Sequence, residues 1–492
     1  MKPVILAYSE TNDKNIAERI GMSEYSYYFV LKWFLPTLAE LGEVKVIYDP
    51  LTQADLEYDQ AQQEGRQCVL FSFAPPHRTL FPQRCPVVPL VAWEFERIPD
   101  HQWDNDPTHD WRHVFARTGL AITHSEFARQ AILRAMTPDY PVWSIPAPVW
   151  DRFAARGMQL HGTEGRRPAK GMDLHIKGAV FDSATCIPNS PETAQWRVPG
   201  SECAPLPPAL ESPPLDPITE RKLRRAARRK RSMQKLMARL TGRPFPAPQE
   251  TAIAPTQEPP AIDEEHHIQA KGIVFASILN SRDGRKNWGD LATAFASRFQ
   301  DVEDAVLIFK LNENDSAESM LNLERDLRRF VWLKCRVIAF NGYLSDDDYQ
   351  RFLDGIDYVV NASTGEGQCL PLMELMAMGT PAIAPDHTSM ADYITPDNAF
   401  ILPSTRFLTG WPHDPRFIYS TTAFRVPWDA LRDAYGNAYQ LAKTDPSAYQ
   451  RMSNSATAQL ESHSSKRVVL TALRQVLEAS QSRQNPTNEI AY

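Results

Sequence analysis

The sequence has little of several features that would assign it to a class of protein at once. Its six cysteines are scattered, without a C-x-x-C pair or the dense framework of a disulfide-stapled secreted domain. No apolar run reaches the roughly 18 residues of a membrane-spanning helix. The 53 Lys and Arg residues do not outnumber the 60 Asp and Glu residues, which excludes a basic field over the whole protein. We therefore expect a cytoplasmic protein without a nucleic-acid partner.

The length of the chain indicates its domain organisation. Its 492 residues exceed the roughly 250–300 residues at which a single hydrophobic core stops growing, so two domains are expected. The first residues, Met1–Tyr8, hold too few apolar side chains for a signal peptide and predict a first strand instead.

The N-terminal part alternates strand and helix signals, as in a parallel sheet covered by helices. Strands are predicted at 4–9, 43–48, 68–73, 87–93, 120–123 and 142–145, and a helix at 25–41 with Pro36 inside it. Ser125 is a capping residue that opens a further helix. These elements predict one doubly wound, Rossmann-like domain over residues 1–155.

A second alternating array begins near Lys271 and predicts another Rossmann-like domain over residues 268–425. Helical periodicity continues through 426–492, and these terminal helices are candidates for crossing back to the first domain. The predicted architecture is therefore α/β, with two Rossmann-like domains.

Between the two arrays, residues 156–267 are predicted to form a largely disordered insertion. Fifteen of the 40 prolines fall within 186–260, a density that supports neither strands nor long helices. Inside it, 218–243 holds eleven Lys or Arg residues and a single acid, Glu220, with aliphatic residues at helical spacing. This basic helix is a candidate for contact with an anionic membrane surface, and a solvated or internally packed helix is the plain alternative.

The most informative stretch is 361–394. Two glycines, Gly365 and Gly367, follow a predicted strand and precede a helix that has Pro371 near its first position. Free amides and the dipole at such a helix start suit a diphosphate. Glu374 is the only charged residue between Gly367 and Asp386, so this carboxylate needs either an ion-pair partner or donors such as sugar hydroxyls.

These residues resemble a known family. Glu366 and Glu374, separated by seven residues and followed by Ala-Met-Gly-Thr-Pro, resemble the Glu-x7-Glu signature of family 4 retaining glycosyltransferases. The turn 341–345 with Gly342 resembles the glycine turn of that family, and 282–287 resembles its phosphate-binding Arg/Lys segment. The resemblance implies a GT-B fold, in which two Rossmann-like domains face each other across a cleft.

The resemblance also implies residue roles. Glu374 would hold the donor ribose, Glu366 the transferred sugar, and the amides of Gly367, Cys369 and Leu370 would face sugar and phosphate. Lys286, with Arg282 or Arg285, would neutralise the leaving diphosphate, and the spacing leaves open which arginine acts. No cofactor and no metal are implied, and His266-His267 is interpreted as solvent-facing rather than as a ligand pair.

Acceptor-binding candidates come from the first domain. Gly21 lies in a loop expected to face the cleft, and Trp93 and Glu94 follow a strand at the end where ligands bind in such sheets. A core tryptophan and a surface charge are the plain alternatives. His124 also follows a strand, where a structural histidine is commoner than a catalytic one.

The resulting hypothesis is a metal-independent, retaining transferase that moves a hexose-like unit from a nucleoside diphosphate sugar to a glycan or lipid-linked acceptor. Such an enzyme would belong to polysaccharide biosynthesis and would work in the cytoplasm, peripherally at the inner membrane face if the basic helix binds lipid. Two alternatives stay open. One is a GT-B sugar-nucleotide epimerase or hydrolase, and the other is a non-catalytic GT-B scaffold of a polysaccharide assembly complex.

Overall fold

The computed structural model describes residues 1–19, 21, 24–102, 105–162, 165–169, 171–187, 265–313, 315–330, 332–342, 344–411, 414 and 419–482. The predicted basic helix 218–243 lies outside the described residues. Within the described part, no helix is both long enough and apolar enough to cross a membrane.

Six parallel strands form the sheet of the first domain, in the order β2-β1-β3-β4-β5-β6. They are β1 (Val4–Tyr8), β2 (Glu43–Val46), β3 (Cys68–Phe73), β4 (Val87–Val91), β5 (Ala121–Thr123) and β6 (Val142–Ser144). β1, β3 and β4 are buried along their whole length, because helices cover both faces of a parallel sheet.

Six helices connect these strands or follow them. They are α1 (Ile16–Arg19), α2 (Ser26–Leu41), α3 (Pro50–Gln63), α4 (Trp111–Thr118), α5 (Glu126–Ala135) and α6 (Trp150–His161). The side chain of Ser125 accepts a hydrogen bond from the amide of Ala128 and caps α5, as the sequence predicts. Gly119, at φ 70°, ends α4 in the left-handed conformation that favours glycine.

The second domain is built on a seven-stranded sheet in the order β15-β14-β13-β10-β11-β12-β8. The strands after β6 are β7 (Gly171–Lys177), β8 (Ala179–Asp182), β9 (Glu265–Lys271), β10 (Ile273–Leu279), β11 (Ala305–Leu311), β12 (Arg336–Asn341), β13 (Tyr358–Val360), β14 (Ala382–Ala384), β15 (Ala399–Ile401), β16 (Thr405–Gly410) and β17 (Ser420–Arg425). The parallel strands β10 to β15 follow the Rossmann order 3-2-1-4-5-6, and β8 pairs antiparallel with β12. The predicted α/β fold of two Rossmann-like domains is confirmed.

The helices of this second part are α7 (Ser183–Cys186), α8 (Trp288–Phe299), α9 (Ala317–Leu327), α10 (Asp346–Asp354), α11 (Leu370–Ala377), α12 (Trp428–Thr444), α13 (Pro446–Ser464) and α14 (Lys466–Ser482). The last of them reaches the first domain. Gln67 Nε2 donates to the carbonyl of Leu477 over 3.2 Å and to Ser480 Oγ over 3.0 Å, and Lys466 forms an ion pair with Glu40.

Part of the segment predicted as insertion belongs to the second domain instead. β8 closes one edge of the second sheet, and β7 pairs with β9 in a two-stranded antiparallel ribbon. Residues 171–177 alternate between exposed and buried positions, which is a strand pattern. The proline-dense stretch begins only at Pro188, so its composition does not extend back over 171–187.

Candidate active site

Sheet topology brings the two central loops of the site together. In the Rossmann order, β10 and β13 are neighbours from which the chain winds in opposite directions, so their carboxyl ends flank the crevice where ligands bind. The loop after β10 carries Lys286, and the loop after β13 carries Glu366. These residues are 80 positions apart in sequence and meet because their strands are adjacent.

Glu366 and Lys286 form an ion pair that is largely buried. Lys286 Nζ lies 2.6 Å from Glu366 Oε1 and 2.8 Å from Oε2, and the Glu366 side chain is only 6% exposed. Ser363 Oγ donates to Oε1 over 2.6 Å, and Asn361 Nδ2 donates to the same oxygen over 3.1 Å. The pair therefore has further hydrogen bonds, which a buried charge requires.

The charges of this pair are fixed by their surroundings. Burial alone would raise the pKa of Glu366, but the positive charges of Lys286 and Arg285 and the donors Lys286 and Ser363 lower that pKa to about 2. Burial would lower the pKa of Lys286, but the Glu366 carboxylate raises it on balance. Both groups stay charged near neutral pH, so the site keeps one cation beside one carboxylate.

The structure separates the two candidate arginines. Arg285 is ion-paired with Glu94 of the first domain and with Asp283, 2.7 Å away, and its side chain is 20% exposed. Arg282 is 51% exposed and donates to the carbonyl of Asp315 over 2.8 Å, away from Glu366. The structure thus places Arg285, and not Arg282, beside the Glu366–Lys286 pair.

Glu374 lies on α11, buried to 4% exposure. Trp33 Nε1, from α2 of the first domain, donates to Oε1 over 3.1 Å, and the Tyr349 hydroxyl donates to Oε2 over 2.7 Å. Burial raises the pKa of Glu374 to about 7, although both donors lower it. The sequence predicts either an ion-pair partner or neutral donors for this carboxylate. In the structure, two neutral donors hold it.

The loop that opens α11 is shaped by close packing against the first domain. A β-carbon at Gly367 would lie 3.2 Å from the Trp93 nitrogen and 3.3 Å from Ala92 Cβ, so a side chain there would press on the end of β4. Cys369 sits at the N-cap of α11 with φ 61°, a left-handed conformation that is uncommon for a residue other than glycine. Leu370 and Pro371 begin the helix; Pro371 has no N–H, and the amides of Leu372 and Met373 donate to the carbonyl of Cys369, so the amides that can face a ligand are those at Cys369 and Leu370.

The first-domain candidates divide into two groups. Gly21, at φ 83°, accepts a hydrogen bond at its carbonyl from Asn280 Nδ2 over 3.0 Å, so its loop does meet the second domain. Glu94 also crosses, through its ion pair with Arg285. Both residues lie where the two domains meet.

Trp93 and His124 are core residues rather than binding surfaces. Trp93 is 5% exposed, donates from Nε1 to the carbonyl of Arg97, and packs edge-on against Trp111 with ring centroids 4.5 Å apart. A sugar cannot stack on a ring enclosed in this way, so the interpretation of Trp93 as a stacking surface is corrected. His124 is 1% exposed, with Nδ1 2.9 Å from the carbonyl of Ile145, and burial lowers its pKa to about 4.

Gly342 has a structural explanation. A β-carbon there would lie 2.2 Å from the carbonyl oxygen of Lys177, so the glycine lets β12 end against the turn between β7 and β8. The structure does not bring Gly342 together with the Glu366–Lys286 pair through any described hydrogen bond.

Sequence reasoning missed Trp33 and Tyr349. Both reach Glu374 from distant elements, 341 and 25 residues away in sequence. Trp33 lies within an aromatic helix whose pattern is that of a core helix, so the sequence carries no signal for it. Tyr349 follows the acidic first turn of α10 and reads as a packing residue.

The sequence does not predict a group of potential metal ligands, but the structure brings one together. Among the described residues, the one cluster with ligand spacing is Asp173, His175 and His267, all exposed. It lies on the ribbon β7–β9, and the Glu366–Lys286 pair is not part of it.

The comparisons with known proteins agree with this geometry. Residues 271–408 match the family model described as glycosyl transferases group 1. The match runs from the end of β9 into β16, and together with the two Rossmann-like domains it supports a GT-B glycosyltransferase. No curated protein matches the chain significantly.

The solved structures that the chain resembles include three proteins. A glycosyltransferase from Rickettsia africae ESF-5 is 11% identical, with a TM-score of 0.49 over 98% of this chain and 99% of that one. Anabaena HepE, determined with UDP, is 14% identical with a TM-score of 0.49, over 97% of this chain and 100% of that one. The pneumococcal O-GlcNAc transferase GtfA, with UDP and GlcNAc, is 10% identical with a TM-score of 0.42, over 87% and 60%. These identities are too low to transfer a substrate or a mechanism.

Proposed function

We propose that the protein is a retaining, metal-independent glycosyltransferase that moves a sugar from a nucleoside diphosphate sugar to a glycan or lipid-linked acceptor. The observation that carries the proposal is the buried Glu366–Lys286 pair at the switch point of the second sheet, with Arg285 beside it. A buried charge pair is costly to the fold, and such pairs in a ligand crevice are commonly functional.

The proposed chemistry uses Lys286, Arg285 and Glu366 in the charged states described above. When the bond between the sugar and the diphosphate breaks, negative charge grows on the leaving phosphate, and fixed cations at that point lower the barrier. Lys286 and Arg285 are the cations assigned to this task. Glu366 is assigned to the hydroxyls of the transferred sugar, Glu374 to the ribose, and the start of α11, at Gly367, Cys369 and Leu370, to the diphosphate.

Retention of the anomeric configuration follows in this proposal from attack on the same face that the leaving group departs from. The leaving phosphate then accepts the proton of the acceptor hydroxyl. The acceptor would approach from the first domain, where the Gly21 loop and Glu94 meet the second domain.

The decisive experiment measures nucleotide release from a panel of nucleoside diphosphate sugars, with and without oligosaccharide or lipid-linked acceptors, in excess EDTA. Acceptor-dependent release that persists in EDTA is expected, because Lys286 and Arg285 take the place of a divalent ion. Release that is independent of acceptor would indicate a hydrolase, and interconversion of the donor sugar would indicate an epimerase. If calorimetry detected no nucleotide binding at all, a non-catalytic scaffold would be the better interpretation.

Peripheral attachment to an anionic membrane at the cytoplasmic face, through residues 218–243, is a second part of the proposal. It rests on the eleven basic residues of that segment, which lies outside the described residues. Each Lys or Arg near an anionic leaflet contributes about 1 kcal/mol, so several contacts would suffice without a spanning helix.

A further inference from the structure

The ribbon β7–β9 presents two histidines and a carboxylate on one face. In its antiparallel register His175 lies directly opposite His267, and Asp173 precedes His175 by two residues. Side chains two residues apart in a strand point to the same face, so all three side chains share the solvent side. The cluster is exposed, and a soluble ion could reach it without any opening of the fold.

The opposite face of the ribbon anchors it to the second domain. Its apolar residues are buried in the main hydrophobic cluster, namely Met172, Leu174, Ile176, Ile268 and Ala270. A β-carbon at Gly355, just after α10, would lie 2.8 Å from the Met172 side chain, which shows how closely the ribbon is packed. The histidines therefore project from a fixed backbone rather than from a loose loop.

The three ligand atoms lie almost as close to one another as they would around a shared metal ion. His267 Nε2 lies 2.5 Å from Asp173 Oδ1, and His175 Nε2 lies 3.9 Å from the same oxygen. The three ligand atoms lie within 4.8 Å of one another. A tetrahedral ion with bonds of about 2.0–2.2 Å places its donors roughly 3.3–3.6 Å apart. The two imidazole rings stack with centroids 4.2 Å apart, and these exposed side chains would rotate out of the stack to converge on an ion.

A second polar contact orients the carboxylate. Gln269 Nε2 donates to Asp173 Oδ2 over 3.1 Å, which leaves Oδ1 facing the two imidazoles. Hydrogen bonds of this kind to a ligating carboxylate are a regular part of metal sites. Asp348 at the start of α10 adds negative charge near His175.

From this arrangement we infer that Asp173, His175 and His267 form a binding site for a divalent transition-metal ion, with Zn²⁺ as the ion that the ligand set fits. Two imidazoles and one carboxylate favour Zn²⁺, Co²⁺, Ni²⁺ or Cu²⁺ over Mg²⁺ and Ca²⁺, which prefer oxygen ligands alone. With three protein ligands, a water molecule completes the tetrahedron. The site is separate from the proposed transfer chemistry.

The position of the site indicates its role. Asp173 and His267 are 94 residues apart in sequence, and the chain between β7 and β9 comprises β8, α7 and the segment 188–264. An ion bound to both strands would close this whole loop of chain, in the way that a cross-link does. Metal binding should therefore stabilise the ribbon without altering the Glu366–Lys286 pair.

The test is calorimetric titration of the full chain, without a histidine tag and after chelator treatment, with ZnCl₂. Four proteins are compared: the wild type, His175→Gln, His267→Gln and the matched control His113→Gln, which changes an exposed histidine on α4. All three positions are solvent-exposed, so the variants should keep their melting temperatures in the absence of metal. Co²⁺ titration adds a spectroscopic readout, because four-coordinate Co²⁺ absorbs strongly in the visible range.

One Zn²⁺ per chain is expected in the wild type and in His113→Gln. Affinity should fall by more than about 10-fold in His175→Gln and in His267→Gln, since even the loss of an outer hydrogen-bond partner costs 10–100-fold at metal sites. Equal affinity in all four proteins would overturn the inference. Absence of saturable binding up to millimolar Zn²⁺ would overturn it as well, and would leave Asp173 and His267 as a plain hydrogen-bonded pair.

Discussion

Trp33 of the first domain donates its indole N–H to Glu374 of the second domain, across 3.1 Å. The contact joins α2 of the first domain to the carboxylate proposed to hold the donor ribose. A buried carboxylate held by neutral donors retains capacity to accept further hydrogen bonds, because each oxygen has two lone pairs. Glu374 can therefore be tested as a ligand-binding group without dismantling its present contacts.

Glu374→Gln is expected to fold normally and to bind nucleotide sugars more weakly. The glutamine oxygen can accept from Trp33, and its NH₂ group can donate to the Tyr349 hydroxyl oxygen, so both contacts have a replacement. A hydrogen bond to a charged acceptor is worth about 1.5–3 kcal/mol, so the dissociation constant should rise by roughly 10- to 150-fold. Calorimetry measures the affinity, and an unchanged melting temperature is the control. Wild-type affinity in this variant would contradict the ribose assignment.

Donor affinity should depend on pH through Glu374. Burial raises the folded-state pKa of Glu374 to about 7, so the carboxylate is half protonated near neutrality. A protonated carboxyl accepts ribose hydroxyls less well, and binding of a nucleotide sugar should therefore strengthen as the pH rises from 6 to 8. The contribution of Glu374 to the free energy of unfolding should instead fall as the pH rises from about 4.5 to 7, because the folded state binds more protons than the unfolded chain in this range. In Glu374→Gln, the affinity for the nucleotide sugar should not change between pH 6 and 8. If the affinity of this variant varied with pH as it does in the wild type, the titration would belong to another group.

Loss of Lys286 alone should be more damaging to stability than loss of both partners of the pair. Lys286→Met leaves the buried Glu366 carboxylate without its cation, a change that costs about 3–5 kcal/mol. The double variant Glu366→Gln, Lys286→Met removes both charges and should recover much of that loss. Urea denaturation of the wild type, of Lys286→Met, of Glu366→Gln and of the double variant gives four free energies of unfolding, and strictly additive changes would show that the two residues are not coupled.

Turnover should not recover in the same double variant. If Lys286 stabilises the leaving diphosphate, its removal lowers the rate by about 10²–10³-fold whatever stands at position 366. Near-normal turnover in either variant would remove Lys286 from the proposed chemistry.

Arg285→Gln should reduce the rate of transfer, while Arg282→Gln should leave it nearly unchanged. Arg285 lies beside Glu366 and Glu94, whereas Arg282 is exposed and directed to Asp315. The two variants are a matched pair in charge and size, three residues apart. Steady-state kinetics with saturating acceptor separates kcat from KM, and an equal effect of both changes would mean that the arginines act only through their general positive potential.

Membrane association should be lost when residues 188–262, which contain the basic segment 218–243, are removed. Liposome co-sedimentation compares the full protein with a variant lacking 188–262, at increasing fractions of anionic lipid and increasing salt. Binding by the full protein should fall with salt, because the Debye length shrinks from about 10 Å at 0.1 M to about 3 Å at 1 M. Equal binding by both proteins would remove the proposed tether and leave the transfer proposal unaffected.

The sequence was sufficient for the fold and for part of the site. Alternating strand and helix signals predict both sheets, and the glycines Gly365 and Gly367 followed by Pro371 predict the helix α11 with its preceding loop. The meeting of Lys286 with Glu366 follows from strand order, which a repeated strand–helix pattern implies for a Rossmann domain.

Contacts between distant elements could not be predicted in this way. The hydrogen bond from Trp33 to Glu374 depends on how α2 packs on α11, and no local pattern encodes that packing. The sequence indicates that Trp93 lies close to the end of a strand, but its burial depends on packing against Trp111, which lies on α4. The Asp173–His267 contact depends on a strand pairing across 94 residues, most of them in the proline-dense segment.

The antiparallel strand β8 has a consequence for any attempt to isolate the second domain. β8 precedes the segment 188–264 in the chain, yet it covers the outer edge of β12, with Asp182 opposite Ile338. In a fragment that starts at residue 268, β12 would still pair with β11, but the backbone groups on its outer edge would lose their partner, and an open sheet edge invites association with other chains. During synthesis, β8 likewise leaves the ribosome long before β12, so the second sheet is completed only when a strand made early is joined by one made late.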